Sequence, residues 1–225
     1  MTESLKYQAA VAAVDEVQEG MAVGLGTGST VTHFINALGA RVQSGLKITA
    51  IPSSEQSDQL AREVGIPIVG FDEQTVLDVT IDGADEVSPE LDLIKGLGGA
   101  LVREKIGVKA SRRVVIVVDE TKLVRQLGTK ASIPVEIIPM ATAFVAKILT
   151  SIGGDPGLRT RDGVPFVSDN GNHVIDWYFG PLVEPAALEA RLKLMSGVVD
   201  SGIFAGVADR VIVAGANGLR DMVRR

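Results

Sequence analysis

The chain has 225 residues, 46% of them hydrophobic, which is enough to bury a substantial core as one domain or as a large domain with a smaller one attached, and too apolar for disorder. Its 28 acidic against 22 basic residues give a formal net charge of -6, which repels nucleic acid and anionic membranes where no basic run intervenes. There are no cysteines, which rules out disulfides and thiolate chemistry, and only two histidines, His33 and His173, so no histidine-rich metal site is expected.

Residues Glu3 to Gln18 place Leu5, Ala9, Ala13 and Val17 four apart, which predicts an amphipathic helix with Gly20 as a left-handed cap. Met21 to Leu25 reads as a strand, Gly26 to Thr30 as a glycine turn, and Val31 to Leu38 as a helix. A strand follows at Ile48 to Ile51, then a helix capped by Ser53-Ser54-Glu55 that runs to Val64, and a third strand at Ile66 to Val69. Three further apolar runs end in charge: Val76 to Ile81 at Asp82, Leu91 to Ile94 at Lys95, and Val114 to Val118 at Asp119, with a helix from Ala100 to Ala110 between the last two. Helices alternating with short apolar strands are the pattern of a parallel sheet covered on both faces, whose ligands bind outside the carboxyl ends of the strands. After about Gly128 the style changes. Pro134 and Pro139 bracket an apolar run, Ala141 to Ile152 reads as a helix, and Asp162-Gly163 and Asn170-Gly171 mark turns between short strands. Pro185 to Met195 is a further helix, and Val207 to Ala214 with Leu219 to Val223 reads as a closing strand and helix that rejoin the first domain. No uncharged apolar stretch is long enough to span a bilayer, and a soluble, cytoplasmic protein is expected.

Gly24-Leu25-Gly26-Thr27-Gly28-Ser29 lacks the third glycine of a dinucleotide fingerprint, and no Gly-Lys-Ser/Thr follows for a nucleotide P-loop. What remains is either a plain turn with a capped helix, or a turn whose amides join the hydroxyls of Thr27, Ser29 and Thr30 around one phosphate at a positive helix end. Asp82 and Asp85 lie three apart at a strand end. They are either turn-capping residues or a pair of acids close enough for one to hold a proton near neutrality. A carboxylate-only magnesium site is a further option for them, though neither histidine is placed to help. Lys95 precedes a glycine cluster, where an ammonium can reach developing negative charge. Glu104, nine residues on, is read either as a base or as an exposed helix acid paired with Lys105 or Lys109. Together these residues point to proton transfer on a phosphorylated metabolite.

Along essentially its full length the chain resembles the type A ribose-5-phosphate isomerases. Gly26 to Thr30 matches that family's phosphate loop and Asp82-Gly83-Ala84-Asp85 its Asp-Gly-Ala-Asp segment; Lys95 to Gly98 with Arg103-Glu104-Lys105 matches its Lys-Gly cluster and catalytic glutamate. Pro134 to Met140 and Asp169-Asn170-Gly171-Asn172 are familiar from its smaller domain. The resemblance implies an α/β fold: a Rossmann-like parallel-sheet main domain, residues 1–128 plus 203–225, with an α+β lid domain over 129–202. It implies interconversion of D-ribose 5-phosphate and D-ribulose 5-phosphate through a cis-enediolate, in the non-oxidative pentose phosphate pathway, without metal or organic cofactor. Glu104 is then the shuttling base, Lys95 the oxyanion partner, Asp82 the aid to ring opening, and Asp85 the support for Lys95 and the substrate hydroxyls. Thr27, Gly28, Ser29, Thr30, Gly83, Ala84, Gly96, Leu97, Gly98, Lys122 and Lys6 are the expected substrate-binding residues, with no metal ligand among them. A homodimer or dimer of dimers is implied as well, with a sugar phosphate as partner rather than nucleic acid or membrane. Leu97 stands where the family usually has glycine. A leucine does not freely take positive φ and adds bulk beside Lys95, so the loop is expected to differ in shape or the rate to be lowered. Two competing readings are a non-catalytic sugar-phosphate sensor and an enzyme of amino-sugar phosphates or phospho-lactones; the second wants a histidine-based arrangement that the sequence does not visibly supply.

Overall fold

The computed structural model describes residues 2–224. In chain order its elements begin with α1 (Thr2–Ala13), β1 (Ala22–Leu25), α2 (Ser29–Gln43), β2 (Thr49–Pro52), α3 (Glu55–Glu63), β3 (Val79–Asp82), β4 (Glu86–Val87) and β5 (Leu93–Ile94). They continue with α4 (Leu101–Ala110), β6 (Val114–Asp119), β7 (Ile133–Ile137), α5 (Thr142–Ile152), β8 (Asp155–Leu158), β9 (Thr160–Arg161) and β10 (Val164–Pro165). The last are β11 (His173–Tyr178), α6 (Pro185–Lys193), β12 (Val198–Ser201), β13 (Ile203–Phe204), β14 (Arg210–Gly215) and β15 (Gly218–Val223). The chain divides into two compact units. Residues up to Ala84, Arg103–Lys122 and those from Val207 onward make the first, and Asp85–Val102 with Leu123–Gly206 make the second.

The first unit is built on a six-stranded sheet in the order β15-β14-β6-β3-β1-β2, parallel except where β15 pairs antiparallel with β14. On one face Val23, Leu25, Ile81, Val115, Val117 and Ile212 pack with Ala9 and Ala13 of α1 and Phe34, Ile35 and Leu38 of α2. Ala22, Ile51 and Leu77 pack with Phe71 and Ala110 in a separate cluster. Burial on both faces explains why β1, β3 and β6 read as continuous apolar runs. Two glycines set how closely β1 approaches β3. A Cβ on Gly24 would lie 1.9 Å from Thr80 Oγ1, and one on Gly26 2.0 Å from Asp82 Oδ1.

The second unit holds an antiparallel sheet in the order β12-β7-β11-β8, on which α5 and α6 pack through Val145, Leu149 and Leu192. Trp177 is fully buried there, and its Nε1 donates to the Gly153 carbonyl at 2.8 Å. A three-stranded antiparallel sheet, β13-β5-β4, and the β9–β10 hairpin complete the unit. The hairpin turns at Asp162-Gly163, both at positive φ.

Several elements differ from the sequence reading. Leu219 to Val223 is not a helix but lies in the edge strand β15. The register closes at Gly215 and Gly218, and Gly218 has φ 95°, which turns the chain straight back along β14. Ile66 to Val69 forms only a bridge from Ile68 to Ala50, since Pro67 has no N–H to continue a ladder. The run from Leu91 shrinks to the two residues of β5, in the antiparallel sheet of the second unit; Leu91 itself turns at φ 62°. The first helix stops at Ala13 and tightens into a 3-10 turn, Val14–Glu16, so Gly20 lies beyond it, donating its N–H to Lys47 O. Residues 85–102, 123–128 and 203–206, read as part of the main domain, fall in the second unit.

Because Thr80 fills the space beside Gly24, the Gly24→Ala variant is expected to lose about 1–3 kcal/mol of stability through overpacking. A lower urea midpoint checks this, and an unchanged midpoint would show that β1 and β3 part without penalty.

Candidate active site

In the first unit β1 runs into the glycine turn. The Gly26 N–H continues toward β3, donating to Ile81 O at 2.9 Å, and Thr27 N–H donates to Asp82 Oδ1 at 3.2 Å. Gly28 precedes α2 with φ 110°, a conformation that only glycine adopts readily. The first helical bond of α2 runs from Thr32 N–H to Gly28 O at 3.0 Å. The amides of Ser29, Thr30 and Val31 therefore open the helix with no partner available inside it. Gly28 and Ser29 are exposed, so this end offers amides, two hydroxyls and a positive dipole end to an anion. Beneath it lies a hydroxyl cluster: Thr27 Oγ1 is 2.8 Å from Ser53 Oγ and 2.9 Å from Ser54 Oγ, and Ser57 Oγ donates to Gly26 O at 2.6 Å. The sequence reading took Ser53 and Ser54 only as a helix cap, which Ser54 also is, accepting from Ser57 N–H. Three serines within five residues after a strand are the signal for the cluster.

Asp82 ends β3 fully buried, with Oδ1 accepting from Gly83 N–H at 2.7 Å as well as from Thr27. Glu104 is 5% exposed on α4, not a solvated helix acid. The two carboxylates line one pocket with Gly26, Pro52, Ser53 and Arg103, at the carboxyl ends of β1, β2 and β3. Gly26 lines the same pocket and leads directly into the turn before α2, so the two acids stand at the strand end that carries the anion seat, and acids so placed can take and return protons. Gly83 and Ala84 follow directly and are half-buried. Lys122 closes the 3-10 turn Glu120–Lys122 after β6, a turn shaped by Asp119 Oδ1 accepting from Thr121 N–H at 2.9 Å. Lys6, on α1, pairs with Glu3 at 2.6 Å. The Lys6 hydrogen bond, followed by the bond to His33, holds the Glu3 carboxyl below its ordinary range. Part of the Lys6 charge is therefore offset locally. His33, to which the sequence assigned no role, lies edge-on to Tyr7.

The remaining candidates lie in the second unit. Lys95 is 2% exposed, with Nζ 5.6 Å from the centre of the Phe204 ring and its N–H donating to Gly202 O at 2.9 Å. The loop then turns at Gly96 (φ 100°) and Gly99 (φ 88°), closed by Gly99 N–H on Gly96 O at 3.0 Å. Asp85 Oδ2 accepts from Leu97 N–H at 3.0 Å. Neither Leu97 nor Gly98 has positive φ, and the Leu97 side chain is exposed. The backbone obstacle expected from leucine at this position does not arise, because the left-handed positions are those on either side of the pair. Thus Thr27 to Thr30, Asp82 to Ala84, Glu104, Lys122 and Lys6 belong to the first unit, and Asp85 with Lys95 to Gly98 to the second.

Among the described residues no group of three or more His, Asp or Glu side chains is placed to hold a metal ion. No described helix is long and apolar enough to cross a membrane.

The sequence profile described as Ribose 5-phosphate isomerase A (phosphoriboisomerase A) matches residues 49–218. A relative from Desulfatibacillum aliphaticivorans, named ribose-5-phosphate isomerase A, is 47% identical over 98% of this chain and 97% of its own. One from Gloeobacter violaceus with the same name is 48% identical over 96% and 94%. Among solved structures, a D-ribose-5-phosphate isomerase in complex with phospho-erythronic acid is 39% identical, with TM-score 0.97 over the whole of both chains. Ribose 5-phosphate isomerase A from Methanocaldococcus jannaschii is 40% identical, with TM-score 0.94 over 98% of this chain and 99% of that one. With a profile match over most of its length and relatives this similar from end to end, the chain belongs to the ribose 5-phosphate isomerase A family.

Proposed function

We propose that this chain interconverts D-ribose 5-phosphate and D-ribulose 5-phosphate through a cis-enediolate. The observation that carries this reading is the placement of two buried acids, Asp82 and Glu104, along one pocket with Gly26, the residue that leads into the turn before the amide-rich head of α2. The substrate phosphate sits on the amides and hydroxyls of Ser29 and Thr30, with Thr27 and Gly28 shaping the seat and Lys122 and Lys6 adding positive charge. Asp82 assists opening of the sugar ring. Glu104 takes the proton from C2 of the open aldose, leaving an enediolate with a C1–C2 double bond and negative charge on O1. Return of that proton to C1, as the O2 proton passes to O1 and C2–O2 becomes the carbonyl, gives the ketose. Lys95 offers its ammonium to the developing oxyanion, and Asp85 steadies the Lys95 loop through Leu97 N–H while meeting the substrate hydroxyls. Backbone groups of Gly83, Ala84, Gly96, Leu97 and Gly98 complete the contacts. The phospho-erythronic acid bound by a solved relative is a phosphorylated sugar acid, whose planar carboxylate has the shape and charge of an enediolate. On the same family footing the working form is a cytoplasmic homodimer or dimer of dimers, and sedimentation of the purified protein checks the subunit count.

The direct test is ribulose 5-phosphate formation from ribose 5-phosphate with excess chelator present. The wild type is expected to turn over, and Glu104→Gln to bind substrate yet lose roughly 10²–10⁴-fold in kcat, the usual share of a general base. Full activity in Glu104→Gln removes that residue from the base role, and binding without turnover in the wild type favours a sugar-phosphate sensor. Because Leu97 is exposed and free of left-handed strain, Leu97→Gly is expected to change kcat by no more than about twofold, as a surface substitution does. A large gain in kcat would show that the leucine obstructs the loop after all.

A further inference from the structure

Arg159, between β8 and β9 in the second unit, was not among the residues expected to matter. Its guanidinium is braced on one side by Asp176 of β11, with Nε to Oδ2 at 2.8 Å and Nη2 to Oδ1 at 2.5 Å. That bidentate pair is well shielded from water, and Asp176 Oδ1 also accepts from Ser132 Oγ at 3.2 Å. Asp176 lies on an inner strand of the four-stranded sheet, paired with Pro134 on one side and Gly157 on the other. On its other side Arg159 sends Nη1 to two successive carbonyls, Gly96 O at 3.0 Å and Leu97 O at 3.1 Å. These are the carbonyls of the two residues that follow Lys95. The Phe166 ring packs against the same guanidinium, 5.6 Å from its centre, and fills the place where a Cβ on Gly99 would stand, 2.4 Å from its Cζ. The loop is therefore fixed at its carbonyls by Arg159, at its amide by Asp85 and at Gly99 by Phe166.

We propose that Arg159 is a positioning residue for Lys95: it ties the Gly96 and Leu97 carbonyls to the sheet and thereby fixes where the Lys95 ammonium stands. The inference rests on the oxyanion role given to Lys95 above. A planar five-donor group suits this task, since one edge must hold Asp176 while another nitrogen reaches both carbonyls; a lysine ammonium cannot span that geometry. Arg159 touches no reacting atom in this scheme, so its loss acts on kcat through Lys95 rather than on phosphate binding.

The test compares Arg159→Ala, Arg159→Lys, Lys95→Met and the Arg159→Ala/Lys95→Met double variant with the wild type, all shown to be folded by circular dichroism. Arg159→Ala is expected to lower kcat by about 10- to 100-fold, as a misplaced catalytic group does, with KM within about threefold. Arg159→Lys should recover little of the loss, and added ethylguanidinium should recover part of it in Arg159→Ala. In the Lys95→Met background the same Arg159→Ala change should cost nothing further, since the group it places is gone. Wild-type kcat in Arg159→Ala beside an impaired Lys95→Met overturns the positioning role alone, as does an Arg159→Ala loss of equal size with and without Lys95. Undiminished turnover in Lys95→Met overturns the reading of Lys95, and the inference with it. Should Arg159→Ala fail to fold, Asp176→Asn, which weakens the brace and keeps the arginine, is judged by the same criteria.

Discussion

Carboxylates that accept backbone N–H bonds hold the loops on which the proposed chemistry depends. Asp82 takes the amides of Thr27 and Gly83, Asp85 that of Leu97, and Asp119 that of Thr121. Glu86, fully buried, takes Gly128 at 2.6 Å with one oxygen and Lys130 and Ala131 with the other, which organises the chain where it enters the larger sheet of the second unit. Asp78 and Asp209 do the same for the first residues of β1 and β6, through Ala22 and Val114. Each such bond is charge-assisted, and each satisfies an amide in a loop or at a strand's first residue. An acidic chain with few long loops can use its carboxylates in this way because a buried amide left alone costs more than the carboxylate's own partial desolvation once it is hydrogen-bonded.

This explains why the acids could be found in the sequence while their work could not be divided. Asp82 and Asp85 have three readings, turn caps, a proton-transfer pair or a carboxylate-only magnesium site; Asp82 does bond the amide next to it, whereas Asp85 bonds Leu97 N–H twelve residues on, a loop tie and not a cap of its own turn. Capping does not displace chemistry. Asp82 spends Oδ1 on backbone amides and still lines the pocket with Glu104. Glu104 was the acid whose bland reading failed most clearly: its helix places it inward, and the sequence carried little signal for that because α4 is apolar on no single well-marked face. Strand ends are legible because β1, β3 and β6 are buried on both faces, so charge appears only where β3 and β6 stop, and β1 stops at a glycine turn. The same rule misled at Leu91 to Ile94. An apolar run ending in Lys95 looks alike whether the strand lies in a parallel sheet or, as here, between two antiparallel partners. The closing segment failed for a related reason. Five residues of mixed polarity fit either a helix turn or an edge strand, and only the tight return at Gly218 decides.

The glycine-rich turn after Lys95 shows how differently neighbouring positions of one loop are constrained. Four conditions act on it, and they fall on different positions. Gly96 and Gly99 need positive φ and also need to be bare, because Leu101 and Phe166 occupy their side-chain spaces, and residue 97 needs only its amide for Asp85 and its carbonyl for Arg159. Position 98 carries none of these demands in the bonds described here. A side chain at 97 is thus compatible with the loop because every group the loop uses there belongs to the backbone. The leucine is a change of surface, not of geometry, and any influence it has on substrate choice must act through contact with the ligand rather than through the shape of the turn that presents Lys95.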